Sequence, residues 1–307
     1  DSDGFAQINI SGLASGNYTI KAFYTNEIYK SDGVVANFTV DKYYTPISAD
    51  FNDTLYSRDF VVKVTLPDNA GGDVTFKIND SVYVREVLNG ISTLVLSGLD
   101  VGQYNLDIIY SGDSLYYTAS LLNKSLKVFK LNSFIDVNVS DVVYGEDVFI
   151  DVCLSGDATG TVRLLLNNQN YTASLVGGRA AFILPDLGVG FYKAKIFYSG
   201  DDNYYSNTSD ISFYVLKDHI SLDVSVNDVL YGEDVVIKVV FDKNVSGKVS
   251  VDVGGRKYVG DVTYGCCDLI LHDLDVGVYD VDVVYLDDVN YYFNTSSVRF
   301  NVFKLES

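Results

Sequence analysis

Four stretches of the chain carry residue types that do chemistry, and they are versions of one another. YSGDDNYY (198–205) sets Asp201, Asp202 and Asn203 between aromatics, and YSGDSLYY (110–117) is nearly the same. YLDDVNYY (285–292) is a diverged copy, and YTNEIYK (24–30) is a shorter one. Acids beside glycine and tyrosine point to three chemistries: acid–base catalysis, cation binding, or an adaptable contact surface. Glycoside-type catalysis needs two carboxyls facing each other at roughly 5–10 Å. Sequence neighbours such as Asp201 and Asp202 diverge in a strand or turn. The only histidines, His219 and His272, fall at unlike places and suggest no triad or metal cluster. Cys153, Cys266 and Cys267 form neither a disulfide framework nor a zinc pattern.

The elements that position these loops repeat with them. GLASGNY, GLDVGQY, DLGVGFY and DLDVGVY end at Tyr18, Tyr104, Tyr192 and Tyr279, at steps of 86, 88 and 87 residues. LYSRD, VYGED and LYGED place Tyr56, Tyr144 and Tyr231 in the same register. A period this long describes a whole domain, since solenoid units run to about 20–50 residues. After each of these tyrosines comes a strand with period-two alternation, as in YNLDIIY, YKAKIFY and YDVDVVY. Leu94/Leu96, Phe182/Leu184 and Leu269/Leu271 alternate in the strand before it. Many short strands and no amphipathic helix predict an all-β class built of β-sandwiches. The loops then fall in the hairpin that follows the tyrosine-bearing strand. Gly112 and Gly200 serve the turn, the first tyrosine faces inward, and one of the paired tyrosines returns inward.

Leu-x-x-Gly-x-Tyr entering a strand has the form of a tyrosine corner, with the ring packed inside and the hydroxyl bonded back across the turn. On that corner (Tyr18, Tyr104, Tyr192, Tyr279) and the YSGDxxYY loop, the chain resembles bacterial-type Ig-like repeats of large surface proteins. Among these it is similar to the adhesin-like repeat proteins of methanogenic archaea. The resemblance implies tandem Ig-like modules, an extracellular cell-surface location, an adhesin-type role and no catalytic residues. Its expected partners are other cells, surface glycans or proteins, or copies of the chain itself in a fibre. Direct ligand binding through the loops, or service as accessory modules of a surface enzyme, are the alternatives.

Boundaries follow the closing runs KVFKLN, YVLKDH and NVFKLE, giving complete modules at 44–131, 132–219 and 220–307. Short connectors predict a semi-rigid rod. Residues 1–43 align with the last three strands only, the C-terminal half of a module. The expectation is a chain cropped within a domain, with strand donation from another segment as the alternative. The lack of methionine likewise suggests a processed piece or an excerpt.

No metal or other cofactor site is assigned. One alternative stays open beside solvated turn acids: an interdomain calcium held by Glu146 and Asp186 of one module and Asp287 and Asp288 of the next. Lys130, Lys217 and Lys304 recur at module ends, away from the core position that a Lys–Asn cross-link requires. Cys153 aligns with Val240 and is expected in the core, Cys267 inward and Cys266 outward; a vicinal disulfide would be strained. Asn-x-Ser/Thr occurs at Asn9, Asn17, Asn37, Asn52, Asn79, Asn123, Asn138, Asn170, Asn207, Asn244 and Asn294, half of all asparagines. These glycosylation candidates support an exported chain. A net charge of −19, from 41 acids against 22 Lys plus Arg, argues against nucleic acid. No apolar run reaches the roughly 20 residues of a membrane span.

Overall fold

The structure, a computed structural model, describes residues 4–286 and 289–305. Among the described residues every regular element is a strand. In the first complete module, β3 (Ser48–Phe51), β5 (Phe60–Thr65) and β8 (Ile91–Leu96) form one antiparallel sheet in the order β3-β5-β8. β4 (Thr54–Leu55), β10 (Ala119–Phe129), β9 (Gly102–Tyr110), β6 (Asp73–Ile78) and β7 (Ser81–Glu86) form the second, in the order β4-β10-β9-β6-β7. The opening strand is thus divided: β3 runs antiparallel to β5, and β4 runs parallel to β10. The same three-plus-five arrangement recurs over Asp136–Leu216 and over Leu222–Phe303.

The cores follow from the alternation. Phe60, Val62 and Val64 of β5 face Phe76, Leu106, Ile108 and Leu126 of the other sheet, all essentially without solvent contact. The third module packs Val235, Ile237 and Val239 against Val249, Val251, Val281 and Val283 in the same way. Burying a side chain of this size contributes about 1.5–3 kcal/mol, so each sandwich holds a core of its own.

Residues 4–43 differ. β1 (Gly16–Ala22) and β2 (Val34–Val40) form a two-stranded antiparallel sheet, and no described residue of this stretch is buried. Of the three strands expected here, the structure assigns these two. In a complete module the strand before the corner pairs with the counterpart of β5, and the described residues 4–43 contain no such partner.

By compactness the chain divides into two units. One comprises residues 1–132 with Asp201–Tyr205, the other Ser133–Gly200 with Ser206–Ser307.

Candidate functional site: the linker–loop junctions

All four corner tyrosines donate to a carbonyl four residues back: Tyr18 to Ala14 at 2.7 Å, Tyr104 to Asp100 and Tyr192 to Gly188 at 2.8 Å, and Tyr279 to Asp275 at 2.9 Å. Three of the rings stack on a cross-strand phenylalanine: Tyr18 on Phe38, Tyr192 on Phe213, Tyr279 on Phe300. The corner fixes where the next strand starts, and that strand delivers the acidic loop.

Three of the loops are Asx turns. Asp113 Oδ1 accepts from the Leu115 and Tyr116 amides at 2.7 and 2.8 Å, while Oδ2 accepts from Gly71 N at 2.7 Å. Asp201 Oδ1 accepts from the Asn203 and Tyr204 amides, both at 2.8 Å. Asn26 takes the same place in the shorter copy, accepting from Ile28 and Tyr29 N. Burial alone would raise the Asp113 pKa; the backbone donors, Gly71 first, outweigh it and hold the carboxyl below its ordinary value. Gly112 is required beside it: at φ 74° a Cβ would stand 2.9 Å from Tyr116 O. Asp113 and Asp201 thus serve backbone amides, of their own turn and, for Asp113, of the Gly71 turn as well.

The first tyrosine of each full copy is buried: Tyr110, Tyr198 and Tyr285. Burial, with the Asp113 carboxylate beside it, pushes the Tyr110 phenol well above its ordinary pKa. Of the paired tyrosines the first turns inward, Tyr204 to 5% exposure, while Tyr117, Tyr205 and Tyr292 stay exposed.

The loops meet a feature that sequence reading placed only as a boundary marker. Tyr43, Leu131 and Asp218, in the linkers, each form a parallel bridge to the first paired tyrosine of a loop: Tyr116, Tyr204 and Tyr291. Two backbone bonds make each bridge. Tyr43 N donates to Leu115 O at 2.8 Å and Tyr117 N donates to Tyr43 O at 3.1 Å. Leu131 N to Asn203 O and Tyr205 N to Leu131 O are both 2.9 Å; Asp218 N to Asn290 O and Tyr292 N to Asp218 O are both 3.0 Å. The preceding lysine adds a third bond, from Lys42 to Asp113 O, Lys130 to Asp201 O and Lys217 to Tyr291 O. These lysines are half-buried at carbonyl oxygens. Rings complete the contact: Tyr56 meets Tyr204 edge-on at 5.9 Å, Tyr144 meets Tyr291 at 5.4 Å, and His219 stacks on Tyr292 at 4.7 Å. At the last junction Asp218 also pairs with Lys243, whose hydrogen bond depresses the carboxyl pKa against the cost of its burial. The spacing of Lys42, Lys130, Lys217 and Lys304 at the loop period was the signal that could have revealed this contact.

The calcium alternative gains no support. Glu146 Oε2 accepts from Val143 N at 3.3 Å within its own turn. Asp186 is an exposed turn residue at φ 57°. Asp287 and Asp288 lie outside the described residues. Among the described residues no group of three or more His, Cys, Asp or Glu is arranged to hold a metal ion.

Cys153 corrects the expectation of a core position. It is half-buried on the outward face, because Val148, Ile150 and Val152 are the inward residues of its strand. Cys267 is buried and Cys266 exposed on opposite faces of one strand; all three thiols are free. Gly260 leaves room for Cys267, since a Cβ there would meet Sγ at 2.4 Å. His272 pairs at the surface with Asp234, which raises the imidazole pKa.

Nine of the glycosylation candidates are exposed: Asn9, Asn17, Asn37, Asn52, Asn79, Asn123, Asn138, Asn170 and Asn244. The other two are half-buried with Nδ2 donating to linker carbonyls, Asn207 to Ser133 O at 2.7 Å and Asn294 to Ile220 O.

No protein-family model matches the chain, and no curated protein matches it in sequence. Among solved structures, the titin Z1Z2 domains in complex with telethonin are similar over 58% of this chain and 99% of that one, at 17% identity and TM-score 0.35. The N-terminal four Ig domains of Dscam1 isoform 6.9 are similar over 98% and 90%, at 12% identity and TM-score 0.30. Fibronectin(III)-like modules of CbhA from Clostridium thermocellum are similar over 56% and 94%, at 15% identity and TM-score 0.26. The corners and strand topology themselves carry the description of the chain as tandem Ig-like sandwiches.

Proposed function

We propose that these tandem Ig-like modules are a non-enzymatic spacer region of a large extracellular protein, adhesin-like and displayed at a cell surface. The observation that carries this reading is the junction, in which a linker residue, a lysine and a ring engage the acidic loop. The loops that looked fit for chemistry are occupied by the chain's own backbone. Their acids cap amides and their paired tyrosines receive linkers, which favours a mechanical role over direct glycan or protein binding through the same loops. The sequons and the acidic surface support export and solubility.

Single-molecule stretching tests the mechanical part. Three complete modules should unfold in three separate events, each releasing about 30 nm of chain less the folded length. One concerted event or a featureless extension counts against a spacer. Adding protease to intact native cells tests location: a surface protein loses this region while cytoplasmic proteins survive.

A further inference from the structure

The middle strand of the second module carries side chains that its counterparts lack. Gly190–Tyr198 is central in its five-stranded sheet and pairs along both edges. Ala194, Ile196 and Tyr198 are its buried residues, so Phe191, Lys193, Lys195 and Phe197 face outward. The same places hold Gln103, Asn105, Asp107 and Ile109 in the first module. In the third they hold Val278, Asp280, Asp282 and Val284. Across from Phe197 stands Arg163, where the other modules set Thr75 and Ser250. On a chain of net charge −19, one outer face thus combines Arg163, Lys193 and Lys195 with aromatic rings.

The rings and the cations are arranged together. Phe191 meets Tyr214 of the neighbouring strand with centroids 4.7 Å apart, and the two are 49% and 47% exposed. Lys193 Nζ lies 5.6 Å from the Phe191 centroid, and the Arg163 guanidinium 3.9 Å from that of Phe197. Arg163 also donates to Asn170 Oδ1 at 2.7 Å. Two acids border the face: Asp210 pairs with Lys195 at 3.1 Å, and Asp141 accepts from Tyr214 N at 2.7 Å. Lys193 and Arg163 lie against rings instead of carboxylates, which leaves their charge for a ligand. At the Phe197 end the row meets a shallow depression lined by Arg163, Ser199, Ser206 and Thr208. From Phe191 to Phe197 the row runs about 20 Å.

We infer that this face binds an anionic glycan, an extended sugar polymer bearing carboxylate or sulfate groups. Phe191 and Tyr214 receive the apolar C–H faces of sugar rings. Lys193 and Arg163 pair with the acidic groups, and the hydroxyls of Ser199, Ser206 and Thr208 bond to the sugar rim. The sign of the face selects the ligand. An extended peptide joins a sheet through the free backbone groups of an edge strand. Here the ladders on both sides use those groups and leave a ligand only side chains. A nucleic acid carries a charge at every phosphate and would meet this chain's −19 with three cations. The site uses a sheet face and no loop acid, so it goes beyond the spacer reading and does not depend on it.

The test uses the whole chain made in a host without N-glycosylation, because Asn170 beside Arg163 is a sequon. Polygalacturonate, dextran sulfate, neutral dextran and polyglutamate are titrated into it by calorimetry at about 0.15 M salt. Saturable binding of polygalacturonate, of dextran sulfate or of both is expected, and the pattern tells carboxylate from sulfate recognition. Dextran should not bind, and polyglutamate should bind more weakly than the better polysaccharide. Lys193→Ala and Arg163→Ala should each lower affinity about tenfold. Phe191→Ser should lower it as well, whereas Lys127→Ala, across from Gln103 in the first module, should leave it unchanged. All four side chains face outward or lie half-buried on that face, so melting curves should match the wild type. Absence of binding to both acidic polysaccharides overturns the inference. So does polyglutamate binding as tight as theirs, or an affinity that Phe191→Ser and Lys193→Ala leave unchanged.

Discussion

The Tyr144 ring meets the Tyr291 ring edge-on, with centroids 5.4 Å apart and planes at 87°. Tyr144 lies in the turn behind one module's linker and Tyr291 in the loop of the next, so the pair joins modules within one compact unit. Edge-to-face pairs contribute about 0.5–1.5 kcal/mol beyond their buried area. Tyr144→Ala should therefore leave both sandwiches folded but loosen the linker at residues 217–219. Limited proteolysis should cut there faster than in the wild type, while Tyr231→Ala, whose ring is exposed, should leave that rate unchanged.

Acid should weaken the first junction. Asp113 has a depressed pKa in the fold, so its stabilising contribution is complete above the unfolded carboxylate value, about 3.9. It is lost as pH falls through the lower folded value. Asp113→Asn should unfold at lower temperature than the wild type at pH 7, because a neutral amide is the weaker acceptor. The gap should narrow as pH drops below about 4. Melting curves from neutral to acid pH measure it, and a gap independent of pH would show that the charge is irrelevant.

What the sequence made legible was periodic. The corner tyrosines, the inward Tyr110, Tyr198 and Tyr285, and the alternating cores could be read because a strand has a period of two and each module has one buried side. Cys153 was misread for the same reason. VFIDVC is apolar on both faces, with Phe149 55% exposed, so composition did not mark which set faced the core. The junctions were legible only as recurrences. Lys42, Lys130 and Lys217 bond to backbone carbonyls some 70 residues away, and a carbonyl acceptor leaves no side-chain signature. Tight hairpins were within reach: Asn167-Asn168 and Gly254-Gly255 both take positive φ where two-residue turns require it.

The thiols should react in a fixed order. Cys266 is exposed, whereas Cys267 is 4% exposed and burial, helped by Asp268 and Asp261, pushes its thiol up. The thiolate is the reactive species, so one pKa unit is about tenfold in thiolate fraction at neutral pH, partly offset by the greater nucleophilicity of the more basic thiolate. A thiol reagent at neutral pH should show one fast phase, removed by Cys266→Ser. Cys267 should follow only on unfolding. A fast phase that survives Cys266→Ser and disappears in Cys153→Ser would reverse their order of access.

The glycan map should divide the sequons in a way that sequence cannot. Glycosylation replaces a hydrogen on Nδ2, and in Asn207 and Asn294 that nitrogen donates to a linker carbonyl from a half-buried position. A glycan there would leave Nδ2 a single hydrogen and force polar bulk into the junction. Both sites should be bare on protein from its native source, with occupied sites drawn from the nine exposed asparagines. The engaged amide also anchors the linker, so Asn207→Ala should destabilise the fold by about 1 kcal/mol. Alanine at exposed Asn244, by contrast, should change stability by less than about 0.5 kcal/mol. Glycopeptide mass spectrometry checks the first expectation and denaturant unfolding the second. Full occupancy at Asn207 or Asn294 would mean that the junctions form differently in the native protein.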